Sequence, residues 1–186
     1  HVNKDFGAVD ILINNAGRSI RRSIELSFDR FHDFERTMQL NYFGSLRLIM
    51  QALPKMIEHR RGHIINISSI GVLASSPRFS AYVASKAALD AFSSCAQGEL
   101  SGKGISFTTI NMPLVKTPMI APTKMYDSVP TLSPEEAADL IVKAIIEKPS
   151  RVATRLGVFA GVLNAVFPKA YEVVISTAFE LFPDSS

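Results

Sequence analysis

Residues 62–104 read GHIINISSIGVLASSPRFSAYVASKAALDAFSSCAQGELSGKG. His63 to Ile67 is a short apolar run closed by two serines, the pattern of a buried strand. Gly62 in front of it is expected to stop the preceding helix. Ser80 to Leu100 is alanine-rich and helical, and Gly102 and Gly104 close it. A buried strand followed at once by a long helix is one step of an alternating α/β chain.

The alternation continues in both directions. Ile105 to Met112 reads as the next strand. Ser133-Pro134-Glu135-Glu136 then starts a helix, with a capping serine, proline at the first helical position and early acids; it is expected to run to about Lys148. Towards the N-terminus, Val9 to Ile13 is a short apolar strand ending in the turn Asn14-Asn15-Ala16-Gly17. From about Phe28 to His59 the pattern is helical. Phe31, Phe34, Met38, Tyr42, Leu46 and Ile49 form one apolar face, and Pro54 is expected to bend the helix. The prediction is a single α/β domain of parallel strands covered by helices.

Composition narrows the functional class. Hydrophobic residues make up 47% of the 186 and charged residues 20%, which describes a globular chain. A net charge of +3, with the basic residues spread along the chain, gives no nucleic-acid footprint. Cys95 is the single cysteine, so a reducing compartment, the cytoplasm, is expected. His1, His32, His59 and His63 have no metal-ligand spacing, and no metal site is expected.

The chemistry is expected at Tyr82 and Lys86, four residues apart on one helical face. A free tyrosine titrates near about 10, and a neighbouring cation lowers that value. Such a phenol can donate a proton to a carbonyl oxygen or take one back. Ser69 follows the strand His63 to Ile67, where parallel α/β sheets bind ligands, and its hydroxyl can polarise a carbonyl. A turn-capping role suits Ser68 better than Ser69.

Asn14-Asn15-Ala16-Gly17, Asn41 in Leu-Asn-Tyr-Phe-Gly, Ile67-Ser68-Ser69 and Tyr82-Val-Ala-Ser-Lys86 occur in this order. Together they resemble the short-chain dehydrogenase/reductase family, from Phe6-Gly7 to about Met119. The resemblance implies a Rossmann-like, doubly wound parallel sheet and a NAD(P)(H)-dependent enzyme that interconverts a carbonyl and an alcohol. It makes Tyr82 the general acid-base. Lys86 is the lysine that lowers the tyrosine pKa and binds the nicotinamide ribose. Ser69 orients the substrate carbonyl, and the backbone of Asn41 holds a water in a proton relay. Asn14, Ala16 and Gly17 lie beside the cofactor, and Pro113, Val115 and Thr117 touch its nicotinamide end. Leu114 stands where the family usually has glycine, which puts those last contacts in question.

The family's opening strand, glycine-rich turn and helix have no counterpart here. The chain resembles a partial fold lacking the first two β-α units, either a fragment of a normal enzyme or a natural truncated form. NADP(H) is preferred over NAD(H) on family grounds alone. The family also implies a homodimer or homotetramer in the complete protein.

From Leu156 to Pro168 thirteen residues carry no charge, too few for a membrane span of roughly 20. Residues 155–186 read as an apolar helical extension of the same domain. It is either packed on the core or a dimer partner, or it forms a lid or interfacial helix for a lipid-like substrate, with peripheral membrane contact. The segment Lys148 to Thr154 and this tail are similar to bacterial family members acting on fatty acyl-CoA or long-chain lipids. Arg18, Arg21 and Arg22 are either a solvated loop or a contact for the phosphates of CoA or the cofactor. The rival to the enzyme is an inactive remnant serving as a dimerisation or lipid-binding module.

Overall fold

The structure is a computed structural model that describes residues 5–118, 120 and 129–181. His1, Met119 and residues 182–186 of the apolar extension lie outside these residues. The strands are β1 (Ile11–Asn14), β2 (Gly62–Ser69), β3 (Ile105–Met112) and β4 (Arg151–Ala153). All pair in parallel, in the order β1-β2-β3-β4. β4 was not foreseen, because three residues between a proline and a helix cap carry almost no period-two signal.

The helices are α1 (Phe31–Met38), α2 (Ser45–Glu58), α3 (Ile70–Ala74), α4 (Ser80–Leu100), α5 (Pro134–Glu147), α6 (Arg155–Val166) and α7 (Pro168–Leu181). They cover both faces of the sheet. Ile64, Ile105 and Phe107 meet Ile49, Leu53 and Met56 of α2 and Leu89 of α4. Ile65, Ile67, Ile110 and Met112 turn the other way, against Ala137 and Ala144 of α5. Consecutive strand residues therefore serve opposite cores, which is why β2 and β3 read as continuous apolar runs.

The expected helix from Phe28 to His59 is interrupted. A π-helical turn, Gln39–Gly44, joins α1 to α2 and resets the facing of the residues after it. Pro54 sits inside α2 without ending it, so the reset comes fifteen residues before the proline, at Gln39. The buried face of the first half is polar: Asp33, Thr37, Asn41 and Ser45 recur every four residues. Phe31, assigned to the core by its spacing, is 70% exposed. Arg60, at φ +50°, makes the turn after α2, and Gly62 belongs to the strand, pressed against Met56.

Gly104 closes the turn after α4 at φ +79°, where an added Cβ would strike the Arg60 carbonyl. Ser133 caps α5 reciprocally: its hydroxyl accepts from Glu136 N at 3.1 Å, and its own N–H donates to Glu136 Oε2 at 2.7 Å. The apolar tail forms two helices. Gly157 of α6 lets that helix approach Ile70 and Leu73 of α3, and Tyr171 of α7 donates to Ala74 O at 2.7 Å. The outer side stays apolar, with Leu156 and Leu181 73% and 68% exposed. Among the described residues no helix is long and apolar enough to cross a membrane.

Candidate active site

The carboxyl ends of β2 and β3 open into a cleft of about 960 Å³. Ser69 is the last residue of β2, while Tyr82 and Lys86 lie one turn apart on α4. All three line the cleft, together with Gly17, Pro113, Val115 and Thr117. The hydroxyl of Ser69 lies close enough to the Tyr82 phenol to act on its proton affinity. Ser69 also accepts from Gly71 N at 3.1 Å and so caps α3. The capping role expected of Ser68 thus belongs to Ser69, and Ser68 is buried in the strand.

Burial sets the proton affinities. It pushes the Tyr82 phenol above its ordinary value, against a smaller opposing effect of the Ser69 hydroxyl. The expected depression by Lys86 does not occur, because the ammonium is turned elsewhere: Nζ donates to Ile67 O at 2.7 Å. Lys86 itself is lowered to about 8 by burial, opposed by the charge of Asp90. At neutral pH the site holds a protonated phenol beside a protonated amine, a state ready to donate.

Asn41 ties the site together. Its Oδ1 accepts from Arg18 N at 2.8 Å, and its Nδ2 donates to Arg18 O at 2.9 Å and to Ser85 Oγ at 2.9 Å. Ser85 in turn donates to Tyr82 O at 2.7 Å. The π-helical turn thereby locks the loop after β1 to the helix bearing the phenol. Sequence reasoning passed over Ser85, although it lies inside the Tyr82 to Lys86 motif, three residues from the tyrosine.

The turn after β1 divides. Gly17 forms the cleft floor; a Cβ there would lie 3.1 Å from Lys86 Nζ and 3.4 Å from Asn41 Oδ1. Asn15 lines the cleft, whereas Ala16 is exposed and outside the lining. Asn14 is buried behind the site, donating to Asn66 Oδ1 at 2.7 Å. Arg21 and Arg22 also line the cleft, and Arg18 does not. Leu114 needs no glycine-like backbone, since the described non-glycine residues at positive φ are Arg60, Ser75, Arg78 and Lys148. A parallel bridge from Val115 to Leu132 braces the segment.

The residues lining the cleft fit the nicotinamide end of a dinucleotide: a bare glycine, a phenol and an amine from α4, and Pro113, Val115 and Thr117 after β3.

The family model described as short chain dehydrogenase matches residues 1–126. A fatty acyl-CoA reductase from Acinetobacter baylyi is 65% identical over 178 residues, covering 96% of this chain and 60% of the relative. A fatty acyl-CoA reductase from Mycobacterium tuberculosis is 51% identical over 169 residues, covering 90% of this chain and 58% of the relative. The chain therefore spans somewhat more than half the length of these relatives. The crystal structure of a short-chain dehydrogenase from Streptomyces avermitilis superposes with a TM-score of 0.76 at 27% identity, over 96% of this chain and 74% of that one.

Proposed function

The chain belongs to the short-chain dehydrogenase/reductase family, and on that premise we propose that the complete protein is a NAD(P)(H)-dependent oxidoreductase interconverting a carbonyl and an alcohol on a hydrophobic substrate. The observation that carries the reading is the convergence of Ser69, Tyr82 and Lys86 on one cleft. Gly17, Pro113, Val115 and Thr117 would hold the nicotinamide, with Asn14 and Ala16 supporting the turn, and Lys86 would bind the ribose. The nicotinamide, when bound, supplies the hydride. NADP(H) over NAD(H) remains part of the proposal, on family grounds.

In the reducing direction Ser69 holds the carbonyl oxygen by a hydrogen bond, and Tyr82 gives that oxygen its proton as the carbon is reduced. The raised affinity of Tyr82 for its proton suits this direction. Lys86 then stabilises the phenolate left behind, which requires it to leave the Ile67 carbonyl. Asn41 supports the path by which the phenolate regains a proton.

Two features support a lipid-like substrate, with fatty acyl-CoA or fatty aldehyde reduction as its specific form. Two relatives, 65% and 51% identical, carry that activity in their names. The cleft walls beyond the polar centre are apolar, including Ile70, Phe79, Val83 and Ile141. The exposed apolar residues of α6 and α7 support peripheral contact of a cytoplasmic protein with a lipid surface. A homodimer or homotetramer is part of the same proposal.

Turnover of the complete protein with NADPH or NADH on fatty acyl-CoAs, fatty aldehydes and ketosteroids tests the reading. The expected result is reduction of the fatty substrates, abolished by Tyr82→Phe with the fold intact. Undiminished turnover in Tyr82→Phe overturns it.

A further inference from the structure

Asp90 lies one turn beyond Lys86 on α4 and two turns beyond Tyr82, on the same face. It is 7% exposed, an unusual place for a carboxylate without a partner. The partner comes from β4: Arg151 Nη1 donates to Asp90 Oδ2 at 3.1 Å. The same nitrogen donates to Asn111 Oδ1 at 2.5 Å. Asn111 passes the chain on through Nδ2, which donates to Ser69 O at 3.2 Å and lies 3.5 Å from Ser68 Oγ and Asp90 Oδ2.

The parallel register explains how these groups meet. Arg151 pairs with Thr109, and Asn111 lies two residues further along β3, so both project to the face covered by α4. The network thus joins three strands to the helix carrying the phenol and the amine. One end fixes the backbone of Ser69. The other places a carboxylate one helical turn from Lys86, with Asp90 Oδ1 buried and accepting no hydrogen bond among the described residues.

We propose that Arg151, Asp90 and Asn111 are positioning residues for the reaction, holding Ser69 in register and using the Asp90 carboxylate, partly neutralised by Arg151, to set the charge of Lys86. The inference rests on the oxidoreductase reading above. A carboxylate near an amine favours its protonated form, and a guanidinium on that carboxylate weakens the effect. Arg151 and Asp90 therefore act on Lys86 in opposite directions. The other titratable or charged groups about Lys86 are Tyr82 on its own helix and Arg21 and Arg22 in the cleft wall. The Ile67 carbonyl on β2, Asn41 on the π-helical turn and Gly17 after β1 are neutral.

The experiment is the pH dependence of kcat for carbonyl reduction by the complete protein with bound nicotinamide. The wild-type alkaline limb is expected near the Lys86 value of about 8. Asp90→Asn should move it down by about one unit, and Arg151→Met should move it up, with Arg151→Lys restoring the wild-type position. Opposite shifts are not what simple loosening of the fold would give. Limbs that stay in place, or move the same way in both variants, overturn the proposal. Arg151 is 39% exposed on a short strand, so Arg151→Met carries the test alone if Asp90→Asn does not fold; an unmoved or lowered limb then overturns it. If Tyr82→Phe retains activity, the oxidoreductase reading itself fails; if it is inactive and the limbs do not move, only the network fails.

Discussion

Lys86 Nζ lies 2.7 Å from the carbonyl oxygen of Ile67, so the amine that should serve the cofactor is held against the strand that ends in Ser69. The hydrogen bond offsets part of the cost of burying a charge, but only part, since burial still lowers Lys86 to about 8. The site keeps a cation where folding alone would choose an apolar side chain.

Lys86→Met should therefore stabilise the fold while destroying turnover. A displacement from 10.5 to about 8 corresponds to on the order of 3 kcal/mol at neutral pH. The unfolded lysine holds its proton more tightly than the folded one. Wild-type stability should accordingly rise as pH climbs from about 8 towards 10, until the raised Tyr82 begins to oppose it. Urea unfolding at pH 7 and pH 9.5 checks both signs; a destabilised Lys86→Met at pH 7 contradicts the account.

His63 gives the opposite end of the pH scale. Burial, then the charge of Lys148, lowers its pKa, and its Nε2 pairs with Thr108 Oγ1 at 2.9 Å. Thr108 already donates to Pro149 O at 2.6 Å, so the imidazole serves as the neutral donor. An unfolded histidine takes up a proton near about 6.5 while the folded one resists. Stability is thus full above that value and falls as pH drops through it. The unfolding midpoint of His63→Gln should change less between pH 7.5 and 5.5 than that of the wild type.

Much of this was legible beforehand, for identifiable reasons. β2, β3, α4 and α5 follow from apolar runs, alanine content, Gly104 and the Ser133 box, all local signals. Asn41, Ser69, Tyr82 and Lys86 could be nominated because the motifs that carry them occur in order. What local pattern does not encode is the partner of each polar side chain. Asn41 turns inward to meet Arg18 and Ser85 and Asp33 to meet Arg22, while Thr37 and Ser45 bond carbonyls one turn back on their own helical stretch, and Phe31 beside them is left outside. Asp90, Asn111 and Arg151 lie far apart in sequence and meet only through strand register. One turn of spacing puts a cation near Tyr82, but tertiary packing turns that ammonium towards Ile67 instead.

Ser85→Ala should cost about 1–2 kcal/mol by leaving Asn41 Nδ2 with the Arg18 carbonyl alone among its present acceptors. Because Ser85 links Asn41 to the backbone of Tyr82, kcat should fall as well. Thermal unfolding and steady-state kinetics measure the two effects; unchanged values for both would remove the clamp from the account.

Gly17→Ala should leave stability nearly unchanged and lower cofactor binding. The added Cβ meets the end of Lys86 at 3.1 Å, and a flexible side chain can yield, but yielding displaces the amine. Nicotinamide cofactor titration of the complete protein is expected to show about tenfold weaker binding. Wild-type affinity would mean that Gly17 and Lys86 do not form the cofactor floor.

The most direct measurement follows an atom. The complete protein is given NADPH and NADH deuterated on the transferred C4 face, together with a fatty aldehyde, and the product is weighed. One deuterium on the former carbonyl carbon, at a rate that collapses in Tyr82→Phe, is the predicted result. Product without deuterium, or the same labelling rate in Tyr82→Phe, would contradict it.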